Sequence, residues 1–496
     1  MGEDGIHGDT PHMSGRDFAR QAEAIAAWIV RYWESVESMR VRSAATPGEI
    51  FDALPASAPD VPQPVWDTLL HELDSTVVPG LTHWQHPSFF GYFPANASGP
   101  AVLGELISAG LGVQGMLWST SPACTEVEMR VMDWLAQAYG LPEAFTHAAR
   151  LQGRGAGGGV IQSTASEATL VALVAARHRA LRGLRDDQPE PHLTLYASSE
   201  AHASVVKAAM IAGLARHAAD ARHVRRIRVE RDGRMHVASL REAVAADRAA
   251  GRVPCMVVAT LGTTGTGGFD DLAAIGEVVE HDARTFGGAA PGAWLHVDGA
   301  WGLNACVCPE HRAMLRGIER VDSLCVNPHK WLLTNFDCDA FFVRDARALT
   351  DAMSITPEYL RPTAAGQGAV TDFRDWQVPL GRRFRALKLW LVMRHYGLSG
   401  LGSFIRESID LAAEFEALVR EDPRFEVHSR SLSLVCIRLA RRDGESREEA
   451  DARTMALLER VNASGRAMVT HTRAPVEASA AAGEVGAVVI RVAVGG

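Results

Sequence analysis

Cysteine is scarce in this chain, and nothing at its start resembles a secretory leader. Only seven of the 496 residues are cysteine, an odd number spread over apolar contexts. Disulfide-stapled domains instead carry paired cysteines at short spacings. The first ten residues, MGEDGIHGDT, hold three acidic residues where a secretory signal has basic residues and then an apolar run. We therefore expect free thiols and a cytoplasmic protein.

Positive charge and long apolar runs are lacking as well. The chain has 50 Lys and Arg against 59 Asp and Glu, a net charge of −9. Binding to nucleic acid or to an anionic membrane surface needs a basic face, so this balance opposes both. The most apolar long stretch, residues 101–118, is interrupted by Glu105 and Gln114 and does not have the makeup of a membrane span. We predict no nucleic-acid partner and no membrane partner.

What remains is the composition of an ordinary globular protein, 47% hydrophobic and 22% charged. Because a single core stops growing at roughly 250–300 residues, this chain is expected to divide into domains. Residues 17–39 carry Ile25, Ile29 and Trp33 at helical spacing, which predicts an amphipathic helix that packs on another domain or subunit. Helical spacing at 384–396 and 398–419, followed by an apolar run at 432–439, predicts a smaller α+β domain near the other end.

Five short apolar runs alternate with segments of helical spacing between residues 150 and 345. They lie at 159–162, 193–197, 255–261, 294–297 and 324–326. Strands that alternate with helices predict an α/β fold with a mostly parallel sheet. In such sheets ligands bind beyond the carboxyl ends of the strands, often at a helix N-terminus. The residues that follow the five runs are therefore the expected site of chemistry.

Polar side chains follow each of these runs. They are the turn 163–166, Glu200 and His202, Thr263 and Thr264, Asp298, and the turn 327–330 with Lys330. A carboxylate and an amine at neighbouring strand ends, with hydroxyls and an imidazole nearby, are the groups that pyridoxal phosphate requires. Its aldehyde needs an amine, its pyridine nitrogen needs an anion, and its phosphate needs N–H and hydroxyl donors.

Two further motifs have plainer explanations. Thr164 and Glu167 have the spacing of a capping box, and the same turn could bind a phosphate, so the two interpretations are compatible. Cys306, Cys308 and His311 lack the fourth ligand that a zinc site usually has, so we expect core thiols and no metal site.

Seven stretches carry a family resemblance. They are HWQHPSFFGYFPA (83–95), SPACTEVE (121–128), TASEATLVAL (164–173), HVDGAWG (296–302), NPHKWLL (327–333), NFDC (335–338) and DWQVPLGRRFRALKLW (375–390). In them the chain resembles the group II pyridoxal-phosphate decarboxylases, and most closely the aromatic-L-amino-acid decarboxylases. The resemblance implies the type I fold of pyridoxal-phosphate-dependent transferases, in three parts: an N-terminal helical, dimerising arm (1–98), a large cofactor-binding α/β domain (99–387) and a small C-terminal α+β domain (388–496). It also implies a homodimer that converts tryptophan, DOPA, tyrosine or phenylalanine to the amine and CO2.

The resemblance further implies a role for each polar residue at the strand ends. Lys330 matches the lysine that binds the cofactor aldehyde as an imine, Asp298 the partner of the ring nitrogen, and His202 the imidazole that stacks on the ring. Six more residues match cofactor contacts, four at the phosphate and two at the ring: Ala165, Ser166, Asn327 and His329, and Thr264 and Ala300.

Tyr359 lies in a polar, glycine-bearing stretch, 350–371, with the composition of a mobile lid. By resemblance, its phenol protonates the substrate carbon after CO2 leaves, whereas relatives with phenylalanine there form aldehydes. A true decarboxylase is therefore predicted. The alternatives are an aldehyde synthase, a decarboxylase of histidine or glutamate, and a cofactor-binding protein without turnover, which the presence of the four catalytic residues opposes.

The resemblance assigns substrate specificity to seven residues: Trp84, Tyr92, Phe93, Pro94, Gln114, Met116 and Gly381. Those from Trp84 to Pro94 form a wall suited to stacking a flat ring. Gln114 and Met116 depart from the apolar and aromatic pair that animal relatives contribute from the neighbouring subunit. Gly381 replaces a serine found in some relatives and favours an indole or a catechol.

Overall fold

The structure, a computed structural model, describes residues 12–61, 63, 65–185, 187–286, 292–355, 370–475 and 486–495. The chain forms two compact units. One comprises the residues up to Phe89 with Glu459–Met468, and the other comprises Phe90–Leu458 with Val469–Gly495. The three-part division with boundaries at 98 and 387 stays a prediction.

The described N-terminal part of the first unit forms the helices α1 (Gly15–Ser35), α2 (Glu49–Ala53) and α3 (Val65–Glu72). Helix α1 confirms the helix predicted over 17–39 and ends in a 3-10 turn, Val36–Ser38. It begins where the Ser14 hydroxyl accepts a hydrogen bond from the Asp17 N–H (3.1 Å), which satisfies a donor that the helix itself cannot. None of its residues is buried.

The remaining helices are α4 (Gly99–Leu111), α5 (Pro122–Tyr139), α6 (His147–Leu151), α7 (Ala165–Ala180), α8 (Ser204–Ile211), α9 (Val237–Ala249), α10 (Leu272–Phe286), α11 (Pro328–Trp331), α12 (Arg347–Met353), α13 (Ala386–Glu421) and α14 (Arg447–Ser464). Helix α13 is kinked at Gly397, whose φ of +63° lies in the left-handed region. The kink falls at the predicted break between 396 and 398. Within the described ranges, no helix combines the length and the apolarity needed to cross a bilayer.

The large sheet consists of seven strands: β1 (Gly158–Gln162), β2 (Leu193–Ser198), β3 (Val224–Ile227), β4 (Val253–Thr260), β5 (Trp294–Asp298), β6 (Ser323–Val326) and β7 (Asp339–Val343). Their order is β1-β7-β6-β5-β4-β2-β3. Strands β1, β2, β4, β5 and β6 confirm the five predicted runs, and the sheet is mostly parallel as expected. Strand β7 is the exception, since it runs antiparallel to both β1 and β6.

The second sheet contains four antiparallel strands, β8 (Phe425–Ser431), β9 (Leu434–Leu439), β10 (Thr470–Ala474) and β11 (Ala487–Ala493), in the order β10-β11-β9-β8. Strand β9 confirms the apolar run predicted at 432–439.

The large sheet is buried on both faces, which explains why its strands read as continuous apolar runs. One face, with Val160, Trp294 and Phe341, packs against α7, and the other, with Ile161 and Phe342, belongs to a second apolar layer. All strands except β7 have their carboxyl ends along the same edge of the sheet, the edge formed by the strand ends. Strand β7 runs in the opposite direction and begins there, so its first residue, Asp339, lies beside the carboxyl ends of its neighbours.

Candidate active site

A cavity of about 230 Å³ lies at this edge of the sheet. It is lined by all nine residues predicted to contact a cofactor: Ala165, Ser166, His202, Thr264, Asp298, Ala300, Asn327, His329 and Lys330. Phe93 and Trp301 close another part of the wall, with their rings stacked 4.1 Å apart. The fold therefore brings together residues that lie more than 200 positions apart in sequence.

Lys330 stands in the short helix α11, directly after β6. Its ammonium nitrogen lies 5.6 Å from the centre of the Phe93 ring. Burial lowers the pKa of Lys330 below its usual value, and the Asp298 carboxylate opposes this shift. A lower pKa increases the share of neutral amine, which is the form that attacks a carbonyl.

Asp298 is the last residue of β5, and its Oδ1 accepts a hydrogen bond from the Ala300 N–H (3.0 Å). His202 forms another part of the cavity wall. The Ser204 N–H donates to His202 Nδ1 (3.2 Å), which makes this nitrogen an acceptor. Although His202 is partly exposed, desolvation by the cavity wall lowers its pKa, which favours the neutral ring with its proton on Nε2.

The N-terminus of α7 forms an anion-binding end of the cavity. The predicted capping box is wrong in detail, because the Thr164 side chain makes no cap hydrogen bond. Glu167 instead accepts from the N–H (3.1 Å) and hydroxyl (2.6 Å) of Ser163. The Thr164 hydroxyl and the first N–H groups of α7 are thereby left to bind a phosphate.

His329 contributes a second donor at the cavity. Its Nδ1 accepts from the Cys338 N–H (2.9 Å), and burial lowers its pKa to about 3. The ring is therefore a neutral Nε2–H donor and not a cation.

Two orphaned polar atoms test whether this cavity suits pyridoxal phosphate. Thr260 Oγ1 and Asn327 Oδ1 are buried in the wall and have no hydrogen-bond partner among the described residues. A buried polar atom without a partner costs free energy, so such atoms indicate a missing polar ligand. An amine of lowered pKa, a carboxylate, an imidazole face and an anion-binding helix end complete the set that the cofactor needs. The residues present fit the group.

A wider groove of about 880 Å³ runs along the edge strand β3, but it lacks this chemistry. Its arginines are already engaged, Arg225 with Asp247 and Arg228 with the Ser239 hydroxyl. We therefore place the candidate active site at the smaller cavity.

Most residues predicted to bind substrate lie elsewhere in the described chain. Only Phe93 lines the cavity; Tyr92, Pro94, Gln114, Met116 and Gly381 do not. Gln114 Oε1 accepts from the Arg382 N–H (3.1 Å) and lies beside Gly381. Trp84 belongs to the first unit, where its ring packs on Phe89 at 4.6 Å. Tyr359 lies outside the described residues.

Sequence reasoning missed a buried arginine near the cavity. Arg491, on β11, donates to the carbonyls of Gly265 (3.0 Å) and Gly91 (3.1 Å), and its guanidinium lies 5.4 Å from the Phe93 ring centre. Its Nη2 has no described partner. The one signal in the sequence is a charge inside the apolar run AVVIRVA at 487–493.

Asp339, the first residue of β7, was also missed. It is fully buried, and neither carboxyl oxygen has a described partner. The residue paired with it on β1 is Gln162, whose Oε1 is likewise unpartnered. Burial raises the pKa of Asp339 well above its usual value, and the charges of Asp298 and Glu167 raise it further while Lys330 opposes them. A neutral acid at this position can donate to Gln162, whereas a carboxylate cannot.

The Asp339→Asn variant is expected to be more stable than the parent protein at high pH. Because the pKa is raised on folding, stability is lost as pH rises above the unfolded value of about 4, where only the unfolded chain ionises. Asparagine does not titrate, so the gain in Tm is expected to be about 2–4 °C at pH 8 and smaller at pH 4. Thermal unfolding at both pH values measures it. The exposed Asp443→Asn is the control, and an equal Tm difference at both pH values would contradict the prediction.

Comparison with known proteins agrees with the fit of the cavity to pyridoxal phosphate. The family model described as pyridoxal-dependent decarboxylase conserved domain matches residues 47–440. Phenylacetaldehyde synthase of Arabidopsis thaliana is 42% identical over 93% of this chain and 90% of its own. The aromatic-L-amino-acid decarboxylase of Mus musculus is 43% identical over 86% of each chain. The crystal structure of Oryza sativa TDC with PLP and tryptamine superimposes with a TM-score of 0.89, at 42% identity over 98% of this chain and 94% of that one.

Proposed function

Since this chain belongs to the pyridoxal-dependent decarboxylases, we propose that it removes CO2 from an aromatic L-amino acid and releases the corresponding amine. It is a carboxy-lyase whose cofactor is pyridoxal phosphate. The observation that carries the proposal is the placement of Lys330 and Asp298 on one cavity, beside the stacked rings of Phe93 and Trp301.

The bound cofactor supplies an aldehyde and an electron-poor ring that accepts the electrons of the broken bond. Each side chain at the cavity then has one task. Lys330 offers the amine that reacts with the aldehyde, and Asp298 places a carboxylate at the ring nitrogen. His202 presents an uncharged ring face. The turn before α7, together with His329, offers donors to the phosphate.

The aromatic substrate is supported by the wall of the cavity. Phe93 stacks on Trp301 (4.1 Å), and Trp301 stacks on Trp331 (5.4 Å), which gives a rigid apolar support. The relatives named above act on aromatic compounds according to their names. The substrate-binding role of the other predicted specificity residues stays a prediction: Trp84, Tyr92, Pro94, Gln114, Met116 and Gly381.

The pocket would be completed in a homodimer. Helix α4 exposes four large apolar side chains, Leu103, Leu106, Ile107 and Leu111, each about half accessible. A contiguous apolar patch on a soluble protein usually marks an interaction surface. A second copy of the chain covering this patch could also deliver Gln114 and Met116, which follow α4 directly. The cytoplasmic location, and the lack of nucleic-acid and membrane partners, stay predictions.

Charge placed on this patch is expected to separate the subunits. Leu106→Glu would bury a carboxylate in the interface, so sedimentation is expected to show monomers where the parent protein forms dimers, with loss of activity. Leu151→Glu is the control, because Leu151 is exposed but lies outside α4. If Leu106→Glu stays dimeric, α4 is not part of the subunit interface.

The substrate class is tested by CO2 release and amine formation across tryptophan, DOPA, tyrosine, phenylalanine, histidine and glutamate. Turnover of one or more of the first four, with little from the last two, is expected. Preference for histidine or glutamate would overturn the aromatic assignment.

A second candidate is aldehyde synthesis, which the similarity to phenylacetaldehyde synthase favours. Aldehyde, ammonia and peroxide measured beside the amine separate the two reactions. Amine as the main product would exclude the second candidate.

Tyr359→Phe is expected to lower amine formation by about 10²–10⁴-fold, because a phenol that protonates the substrate carbon would be gone. Cofactor binding is expected to persist, and in the presence of O2, which is reduced to peroxide, aldehyde and ammonia are expected to appear. Tyr396→Phe is the control, since Tyr396 lies on α13 away from the cavity wall. Unchanged amine formation in Tyr359→Phe would show that Tyr359 is not the proton donor.

A further inference from the structure

A line of four buried side chains runs beneath Asp298, on the face of the sheet covered by α7. The Trp294 Nε1–H donates to Ser323 Oγ (2.7 Å), and Ser323 Oγ lies 2.8 Å from His296 Nδ1. His296 Nε2 lies 3.9 Å from Cys325 Sγ, which lies 4.0 Å from Asp298 Oδ1. The pairing of β5 with β6 sets these contacts, because it places His296 opposite Ser323 and Asp298 opposite Cys325.

An indole N–H can only donate, so Ser323 Oγ accepts from Trp294. The Ser323 hydroxyl can then donate its own proton to His296 Nδ1 or accept one from it with its second lone pair. We take the first arrangement. Burial lowers the pKa of His296 to about 4, so the ring is neutral near pH 7. A neutral ring that accepts at Nδ1 carries its proton on Nε2. That N–H faces the Cys325 sulfur.

The last contact of the line joins the Cys325 thiol to the Asp298 carboxylate. Burial raises the pKa of Cys325 well above its usual value, so the side chain remains a thiol and keeps an S–H to donate. Asp298 Oδ1 receives both this thiol and the Ala300 N–H. Asp298 Oδ2 has no hydrogen-bond partner among the described residues and remains for the ring nitrogen.

We propose that His296 and Cys325 are positioning residues that keep the shared proton on the cofactor ring nitrogen and off Asp298. The inference rests on the proposed function, because it takes Asp298 as the partner of that nitrogen. Two donors on Oδ1 stabilise the negative charge of the carboxylate. Without the thiol, that charge has one donor fewer and competes more strongly for the ring proton.

The competing arrangement places the imidazole proton on Nδ1. His296 would then donate to Ser323 and accept the Cys325 proton at Nε2, so the line would point away from Asp298. In that case Asp298 Oδ1 would accept a hydrogen bond from the Ala300 N–H alone. Removal of the thiol would then leave the protonation of the ring nitrogen unchanged.

The direct test is the ¹⁵N resonance of ring-labelled pyridoxal phosphate bound to the protein at about pH 7. We expect a protonated ring in the parent protein and a shift toward the unprotonated position in Cys325→Ala. The cofactor Kd is expected to rise about 2–5-fold, the range for loss of one weak hydrogen bond. Cys325→Ser keeps a donor and is expected to retain the parent resonance.

Cys255→Ala is the matched control, because Cys255 is a buried thiol on β4 that belongs to the same apolar layer. A thiol that only fills space would lower Tm in both alanine variants without moving the resonance. If the Cys325 variants and the parent protein share one resonance, the proposal is wrong. If the parent protein does not bind the cofactor at all, the proposed function itself is wrong and the inference goes with it.

Discussion

Replacement of Lys330 by alanine is expected to abolish amine formation, by on the order of 10³-fold or more. The reason is the position of the side chain: the fold places the Lys330 amine on the cavity wall, and burial lowers its pKa, which increases the share of the neutral form that attacks an aldehyde. Cofactor that remains would be held only by its phosphate and ring contacts. Substrate turnover and the visible absorption of the purified protein measure the two effects.

Mass spectrometry of peptides can locate the covalent linkage between the cofactor and the protein. After borohydride treatment, the parent protein is expected to carry the cofactor on the peptide that contains Lys330, and Lys330→Ala is expected to carry none. Lys207→Ala, an exposed change on α8, is the control. Covalent cofactor on another lysine of the Lys330→Ala protein would refute the assignment.

The second large effect is expected from Asp298→Asn. The amide keeps the shape of the side chain and can still accept from the Ala300 N–H, but it has no charge to hold a proton on the ring. Removal of one preorganised electrostatic group lowers kcat by about 10²–10³-fold. Because the phosphate contacts are untouched, cofactor binding is expected to weaken much less than kcat.

The control for this variant is the exposed Asp443→Asn, which changes net charge by the same amount. Steady-state kinetics and cofactor titration separate the two effects of Asp298→Asn. A variant with the parent kcat would show that the ring nitrogen does not need this carboxylate.

The site was predictable from sequence because parallel strands buried on both faces read as apolar runs, and ligands gather at their carboxyl ends. Asp298 and Lys330 each follow such a run directly. The same rule could not find Asp339, because β7 is antiparallel and contributes its beginning to the site. Its pairing with Gln162 depends on strand register between distant segments, which no local pattern encodes.

Other differences have local causes. At the start of α7, Glu167 accepts from the hydroxyl of Ser163, and the Thr164 side chain makes no cap hydrogen bond. Arg491 reads as a solvent-facing break in an apolar strand, yet the fold turns it toward Phe93.

The reversed strand β7 also has a consequence for the order of folding. Strands β6 and β7 are paired neighbours joined by residues 327–338, so the loop that carries Lys330 closes over a short distance in sequence. Strand β1 reaches β7 only across residues 163–338, and a longer loop costs more entropy to close. The lysine turn is therefore expected to form early, and the anion-binding end of α7 to arrive late. Capture of the phosphorylated cofactor would then mark the completion of folding.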